Sequence, residues 1–206
     1  MNFLLASYFW QHIWQWLDKW DTYLFIKINN FWTNDFLDAV FPWWREANTW
    51  TPLYLFLIAF ALLNFGRKGG WWILFAVLTL VMTDQISSHL IKNLFMRPRP
   101  CADDMLMGHV RLLLKNCSGG YSFTSSHAAN HFGFAVFVYV SFSNVIGKWK
   151  YAILGWAASI AYAQVYVGVH YPLDIIGGAI LGCFIGLLSA KVFQHIFGEF
   201  ASPLVL

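Results

Sequence analysis

The sequence predicts an all-α membrane protein, a polytopic bundle of five transmembrane helices preceded by N-terminal interfacial helices. Of its 206 residues, 59% are hydrophobic and only 11% are charged, and the mean hydropathy of +0.53 is too high for an ordinary soluble domain. A bilayer core needs about 20 apolar residues per helical span, so about five or six crossings would occupy most of this length. The net charge of +3 comes without a lysine or arginine run, which argues against a nucleic-acid partner.

Residues 1–50 are predicted to form helices that lie in the membrane interface. The first part of this segment alternates aromatic with polar side chains, which is typical of a Trp-rich interfacial helix. Residues 21–50 carry several lysine, asparagine and aspartate residues and are too polar to cross the bilayer easily. We expect short amphipathic helices in this second part, and a sixth span hidden there is the alternative.

Five apolar stretches follow in residues 51–195 and form the predicted bundle. They cover residues 51–65, 71–95, 127–146, 149–169 and 172–193. A polar loop of residues 97–126 separates the second stretch from the third, and residues 196–206 form a tail.

The positive-inside rule predicts the orientation of this bundle. The short loops carry Arg67, Lys68, Lys148 and Lys150, which assigns them to the cytoplasm. The long loop, although itself basic, then faces the other side, so in a bacterium we expect an inner-membrane protein with a periplasmic site.

Cys101 and Cys117 both fall in this long loop. A disulfide between them would require an oxidising compartment, and the sequence leaves bonded and free thiols equally open.

Three polar clusters are predicted to meet at one membrane face. Lys92 and Arg99 end the second stretch two helical turns apart and could clamp an anion. Ser125 or Ser126 is a natural cap for the third helix, whose exposed N–H groups bind anions, and His127 follows in the first turn. Because ionisable groups in or beside a span are costly, such a convergence predicts a functional site.

The third cluster pairs His170 with Asp174. Pro172 suits the first position of the fifth helix, so Asp174 falls in the opening turn and can orient one imidazole nitrogen of His170. The other nitrogen is then left as a base or nucleophile.

Each cluster taken singly also has a purely structural interpretation. The first could be two snorkelling cations, the second a capped helix, and the third an acidic helix cap beside a histidine. Basic residues dominate, which disfavours a metal ion and suits an oxyanion and phosphoryl transfer.

The three clusters resemble the motifs of a known family. "KNLFMRPRP" fits K-x6-R-P, "TSSH" resembles P-S-G-H, and "AQVYVGVHYPLD" resembles S-R-x5-H-x3-D. Together they resemble the type-2 phosphatidic acid phosphatase superfamily, in its integral-membrane lipid phosphate phosphatase branch. The resemblance covers about residues 50–195.

The resemblance implies a role for each motif residue. His170 would be the nucleophile that forms a phosphohistidine, Asp174 would orient it, and His127 would protonate the departing lipid oxygen. No metal or other cofactor is expected. The residues expected to hold the phosphate oxygens are Lys92, Arg99, Ser125 and Ser126.

The chain departs from the family pattern at Ala163 and Gln164, where Ser-Arg is usual. Gln164 can donate hydrogen bonds to a phosphate but cannot supply charge. Losing an arginine that meets a phosphate bidentately weakens the stabilisation of the transition state unless another cation replaces it. Arg97 and Arg111 are the candidate replacements, and the sequence leaves open which of them reaches the site.

The expected function is hydrolysis of a lipid phosphate that enters sideways from the outer leaflet. Undecaprenyl diphosphate, phosphatidylglycerol phosphate, phosphatidic acid and a lipid A phosphate are the candidate substrates. Two alternatives stay open: a phosphotransferase that uses the same phosphohistidine, and a weakened or inactive relative that binds phospholipids. The sequence does not predict the oligomeric state.

Overall fold

The computed structural model of the protein describes the backbone of residues 2–200 and the side chains of residues 12–200. Within these ranges the regular elements are all helices, which confirms the all-α class. The α-helices are α1 (Asn2–Ile26), α2 (Asp35–Trp44), α3 (Thr51–Gln85), α4 (Lys92–Phe95), α5 (Ser126–Ser141), α6 (Ser143–Ile146), α7 (Lys150–Tyr166) and α8 (Pro172–Phe197). Short π- and 3-10-helical segments cover Lys27–Phe31, Ala47–Trp50, Ile86–Ile91, Pro100–Ala102, Asp104–Leu106 and Gly147–Trp149.

Helix α3 is broken at Gly66, where the chain turns back on itself. Gly66 has a φ of 52° and a ψ of −125°, a conformation that a residue without Cβ adopts at low cost. A Cβ atom on Gly69 would lie 2.0 Å from the carbonyl oxygen of Ala61, whereas an unbroken helix would separate the two residues by about 12 Å along its axis. The break lies where the sequence predicts the turn between the first two apolar stretches.

Two helical segments of the described chain are long and apolar enough to cross a membrane. They are Ala47–Phe95, which includes the break at Gly66, and Pro172–Phe197. The pair Ser126–Ser141 and Ser143–Tyr166, bent by 74°, adds a third if it counts as one span. Length and composition thus give two or three spans, and the predicted number of five or six stays a prediction.

The last helix is longer than the fifth apolar stretch. Helix α8 continues to Phe197, past residue 193 where that stretch ends. Of the predicted tail, residues 201–206 lie outside the described residues.

Helices α5 and α8 cross at the centre of the bundle through a stripe of glycines. A Cβ atom at Gly178, Gly182 or Gly186 would lie 2.4 Å or less from a backbone oxygen of residues 125–133. Only residues without a side chain allow two helices to approach so closely. Large apolar side chains of these and neighbouring helices form a buried core cluster that includes Trp72, Phe134, Phe137, Phe142 and Phe193.

The N-terminal helices pack over the end of the bundle that carries the motif residues. Phe25 of α1 and Phe41 of α2 share a buried cluster with Tyr166 at the end of α7. The amide of Asn29 donates to the carbonyl oxygens of Tyr166 and Arg111, at 2.8 and 2.9 Å. The N-terminal segment is therefore anchored to the bundle by apolar contacts and hydrogen bonds. Its location in the membrane interface stays a prediction.

The long loop is folded back onto the start of α8. A disulfide joins Cys101 to Cys117, which resolves the alternative that the sequence leaves open. The hydroxyl of Tyr171 donates to Oδ2 of Asp103 at 2.7 Å. These links hold the loop close to the residues that precede α8.

Candidate active site

The imidazole of His170 and the carboxylate of Asp174 face each other at the start of α8. Pro172 is the first residue of the helix, so Asp174 lies in the first turn and accepts a hydrogen bond from the backbone N–H of Tyr171 at 2.8 Å. Nδ1 of His170 lies 3.5 Å from Oδ2 of Asp174, and both side chains are buried. The two residues of the third motif therefore lie together.

Ser122, from the long loop, is a third member of this group. Its hydroxyl donates to Oδ2 of Asp174 and lies 3.3 Å from Nδ1 of His170. Because the hydroxyl proton goes to the carboxylate, the oxygen is free to accept the proton on Nδ1. No motif marks Ser122, and a serine in a polar loop carries no signal of its own.

The other imidazole nitrogen of His170 faces the guanidinium of Arg99. Nη1 of Arg99 lies 3.1 Å from Nε2, and since a guanidinium only donates, Nε2 accepts with its lone pair and the ring proton is on Nδ1. Burial lowers the pKa of His170 to about 4, although the neighbouring Asp174 acts in the opposite direction. At neutral pH, Nε2 is thus an unprotonated nitrogen beside a cation, which suits a nucleophile.

Arg99 is held by two backbone carbonyl oxygens. Its guanidinium donates to the carbonyl of Val169 at 3.2 Å and of Gly120 at 3.3 Å. Burial lowers its pKa. Lys92 lies within electrostatic range of Arg99 and of Asp174. The two cations of the first motif therefore lie beside the His170 group.

The start of α5 is joined to the start of α8. Ser125 caps α5, and its Oγ accepts from the N–H of Ala128 at 3.4 Å. The N–H of Ser125 donates to the carbonyl of Asp174 at 2.9 Å. His127, in the first turn of α5, lies within electrostatic range of His170. The second motif is therefore delivered to the same place as the other two.

The hydroxyl of Ser126 is engaged elsewhere. It hydrogen-bonds to the hydroxyls of Ser87 and Ser88, at 3.0 and 2.9 Å. Those serines belong to the helical segment that follows α3. The side chain that replaces the family's glycine thus fits against a neighbouring element.

Arg97 and Arg111, the predicted replacements for the missing arginine, are both held by carboxylates. Arg97 forms ion pairs with Asp174 at 2.9 Å and with Asp21 of α1 at 2.7 Å. Arg111 pairs with Asp38 of α2 at 2.6 Å. In the described part of the chain, neither guanidinium hydrogen-bonds to the side chain at position 164. Their predicted role therefore gains no support from these contacts.

Arg45 contacts Gln164 instead. Its Nε donates to Oε1 of Gln164 at 2.9 Å, in a buried hydrogen bond between residues 119 positions apart. Arg45 directly follows α2, and only 6% of the residue is exposed. No motif marks it, although it is the first arginine of the chain and interrupts an aromatic stretch.

The sequence and the fold are similar to those of named proteins. Over 142 residues, the chain is 34% identical to a lipid A 4′-phosphatase of Bacteroides thetaiotaomicron, which covers 68% of this chain and 62% of that protein. The chain thus matches less than two thirds of that relative's length. It is 29% identical over 173 residues to a lipid A 4′-phosphatase of Porphyromonas gingivalis, covering 84% of this chain and 72% of the relative.

Two crystal structures share the fold. Aquifex aeolicus LpxE superposes with a TM-score of 0.61 at 28% identity and covers 82% of this chain and 94% of its own. A PAP2-type phosphatidylglycerolphosphate phosphatase of Bacillus subtilis gives 0.66 over 89% of each chain. At 18% identity, the second likeness concerns the fold alone. The pattern of the PAP2 superfamily matches residues 69–197, more than half of the chain. The protein therefore belongs to the PAP2 superfamily.

Proposed function

We propose that this protein is a membrane lipid phosphatase that works through a phosphohistidine at His170. The observation that carries the proposal is the orientation of His170: Nδ1 faces Asp174 and Ser122, and Nε2 faces Arg99. Such an arrangement leaves one nitrogen unprotonated, with its lone pair directed at the cations that would hold a phosphate anion.

In the first step, Nε2 of His170 attacks the phosphorus atom. The N–P bond forms as the P–O bond to the lipid breaks, and His127 gives a proton to the departing lipid oxygen. The imidazole keeps its proton on Nδ1, so the positive charge that develops on the ring is stabilised by Asp174. Lys92 and Arg99 stabilise the negative charge on the transferred group.

In the second step, water attacks the phosphohistidine. The new O–P bond forms as the N–P bond breaks, and His127, now neutral, takes the proton from the water molecule. Inorganic phosphate leaves, and His170 regains its lone pair on Nε2. The two steps need no redox partner, and the absence of a metal from the reaction stays a prediction.

A groove beside His127 suits the apolar part of a lipid substrate. It has a volume of about 430 Å³ and runs between the broken helix α3 and α5. Tyr54, Leu80, Val81 and Phe134 line it, and Asp84 lies among them. A lipid lying here would place its leaving oxygen next to the histidine that protonates it.

A lipid A phosphate is the substrate we favour. Both relatives reported above carry the name lipid A 4′-phosphatase. An undecaprenyl-diphosphatase of Sulfolobus acidocaldarius is also 30% identical over 145 residues, so undecaprenyl diphosphate is the second candidate. We place the enzyme in the bacterial inner membrane with its site facing the periplasm.

The test is phosphate release by the purified protein in detergent. We expect release from at least one of four lipids, namely lipid A, undecaprenyl diphosphate, phosphatidylglycerol phosphate and phosphatidic acid. His170→Gln should lower the rate at least about 10³-fold, because the nucleophile is lost. His195→Gln, an exposed histidine near the end of α8, is the matched control and should leave the rate unchanged.

Three results would count against this function. Activity that survives His170→Gln would reject the mechanism. Phosphate that appears only on an acceptor lipid would favour a phosphotransferase. Lipid binding without any phosphate release would favour an inactive relative.

A further inference from the structure

The site lacks the arginine that the family pattern has at position 164, yet a guanidinium reaches that position from elsewhere. The side chain of Gln164 is fully buried, and its carbonyl oxygen accepts a hydrogen bond from Arg45 at 2.9 Å. Arg45 thus brings a positive charge to within one hydrogen bond of the side chain that replaces the arginine.

The contacts of Arg45 leave its charge poorly compensated. Its Nη1 pairs with Glu46, whose side chain is 50% exposed, and its Nε bonds to a neutral amide. In the described part of the chain, Nη2 has no hydrogen-bond acceptor. Burying a guanidinium costs free energy unless anions or acceptors surround it. A half-exposed carboxylate is a weak partner for so buried a cation, so a further anion would stabilise it.

The neighbours of Arg45 are themselves basic. It lies within electrostatic range of Arg99 and of His127. His127 is also within range of Lys92. The cations among these groups repel one another when the site is empty, and a phosphate dianion among them would relieve the repulsion. The three motif residues named here, Lys92, Arg99 and His127, are expected to face the substrate phosphate.

Gln164 offers a second donor to the same anion. Its Nε2 is buried and has no hydrogen-bond partner among the described residues. A buried amide nitrogen without an acceptor destabilises the folded protein, and a phosphate oxygen would supply the acceptor. The carbonyl oxygen of the side chain holds Arg45, and the nitrogen is left for a ligand.

We propose that Arg45 supplies the cationic phosphate contact that the family pattern assigns to position 164. In this reading, Gln164 holds Arg45 through Oε1 and donates to the phosphate through Nε2. The N-terminal segment thereby contributes a side chain that touches the substrate. This inference rests on the proposed function.

The test moves the charge from one residue to the other. Arg45→Gln should lower phosphate release at least about 10²-fold, as for the loss of one donor to a transition-state anion. The double variant Arg45→Gln with Gln164→Arg returns the guanidinium to position 164 and should recover at least tenfold over Arg45→Gln alone. A merely structural role for Arg45 would not produce this recovery. Arg67→Gln, an exposed arginine at the far end of the bundle, is the matched control.

The outcomes separate this inference from the proposed function. Release by Arg45→Gln within twofold of the unchanged protein would overturn the role of Arg45 and leave the function of His170 intact. A double variant no more active than Arg45→Gln would overturn it as well, whatever the thermal stability of either protein. If the unchanged protein releases no phosphate, or if its release does not depend on His170, both proposals are overturned.

Discussion

At the scale of single residues, the chemistry depends on which ring nitrogen of His170 is held. Asp174 and Ser122 both lie on the Nδ1 side, within 3.5 Å. The carboxylate of Asp174 also forms an ion pair with Arg97 and accepts a hydrogen bond from the backbone N–H of Tyr171. With the Nδ1 side occupied in this way, the ring is oriented so that Nε2 faces the cations.

The protonation of His170 gives a prediction that needs no substrate. Because burial disfavours the imidazolium, the folded protein holds the pKa of His170 at about 4, well below the ordinary value of 6.5. The charged groups around it are Asp174, which raises the pKa, and Arg99 and Lys92, which lower it. The ring should therefore be neutral throughout the physiological range and gain a proton only as the pH falls through about 4.

Nuclear magnetic resonance of protein labelled at histidine can check this value. The signals of His170 are those absent from the spectrum of His170→Gln. We expect their titration midpoint near pH 4. A midpoint near 6.5 would contradict the proposed neutral nucleophile.

At the scale of helices, the site depends on how closely α5 and α8 approach. His127 stands at the start of α5 and Asp174 at the start of α8, and the N–H of Ser125 bonds to the carbonyl of Asp174. The glycine stripe of α8 permits that contact, because the two backbones touch along it. Small residues along the crossing thus determine the distance between two motifs.

Gly182 tests this dependence. A Cβ atom there would lie 2.3 Å from the carbonyl oxygen of Ala129 and 2.8 Å from the backbone nitrogen of Gly133, so the helices must move apart. We expect Gly182→Ala to lower the free energy of unfolding by about 1–3 kcal/mol and to lower phosphate release. Thermal unfolding in detergent, followed by circular dichroism, measures the first effect.

Gly155 provides the matched control on α7. A Cβ atom at Gly155 meets nothing within 4 Å, so Gly155→Ala should leave the stability unchanged or raise it by up to about 1 kcal/mol. Equal stability of the Gly182→Ala and Gly155→Ala proteins would show that the close crossing is not required.

At the scale of the whole molecule, the sequence predicts the motif residues and their convergence, and it misses the partners that carry no motif. The contact between His170 and Asp174 is predictable because the two residues are only four positions apart at the start of a helix. Arg45 is not, because its partner Gln164 lies 119 residues away and the contact depends on how α2 packs on α7. Ser122 is missed for the same reason, since only the folded loop brings it to Asp174.

The orientation of the molecule gives the last prediction, and it rests on the Cys101–Cys117 disulfide. Arg99 and Ser122 belong to the same loop, so the loop and the site share one side of the membrane. A disulfide persists in the periplasm and is reduced in the cytoplasm. The test treats bacterial cells with an alkylating reagent before they are lysed and the protein is denatured. We therefore expect alkylation of Cys183 alone. All three cysteines should be alkylated only when the protein is reduced first. Alkylation of all three without reduction would place the site in the cytoplasm.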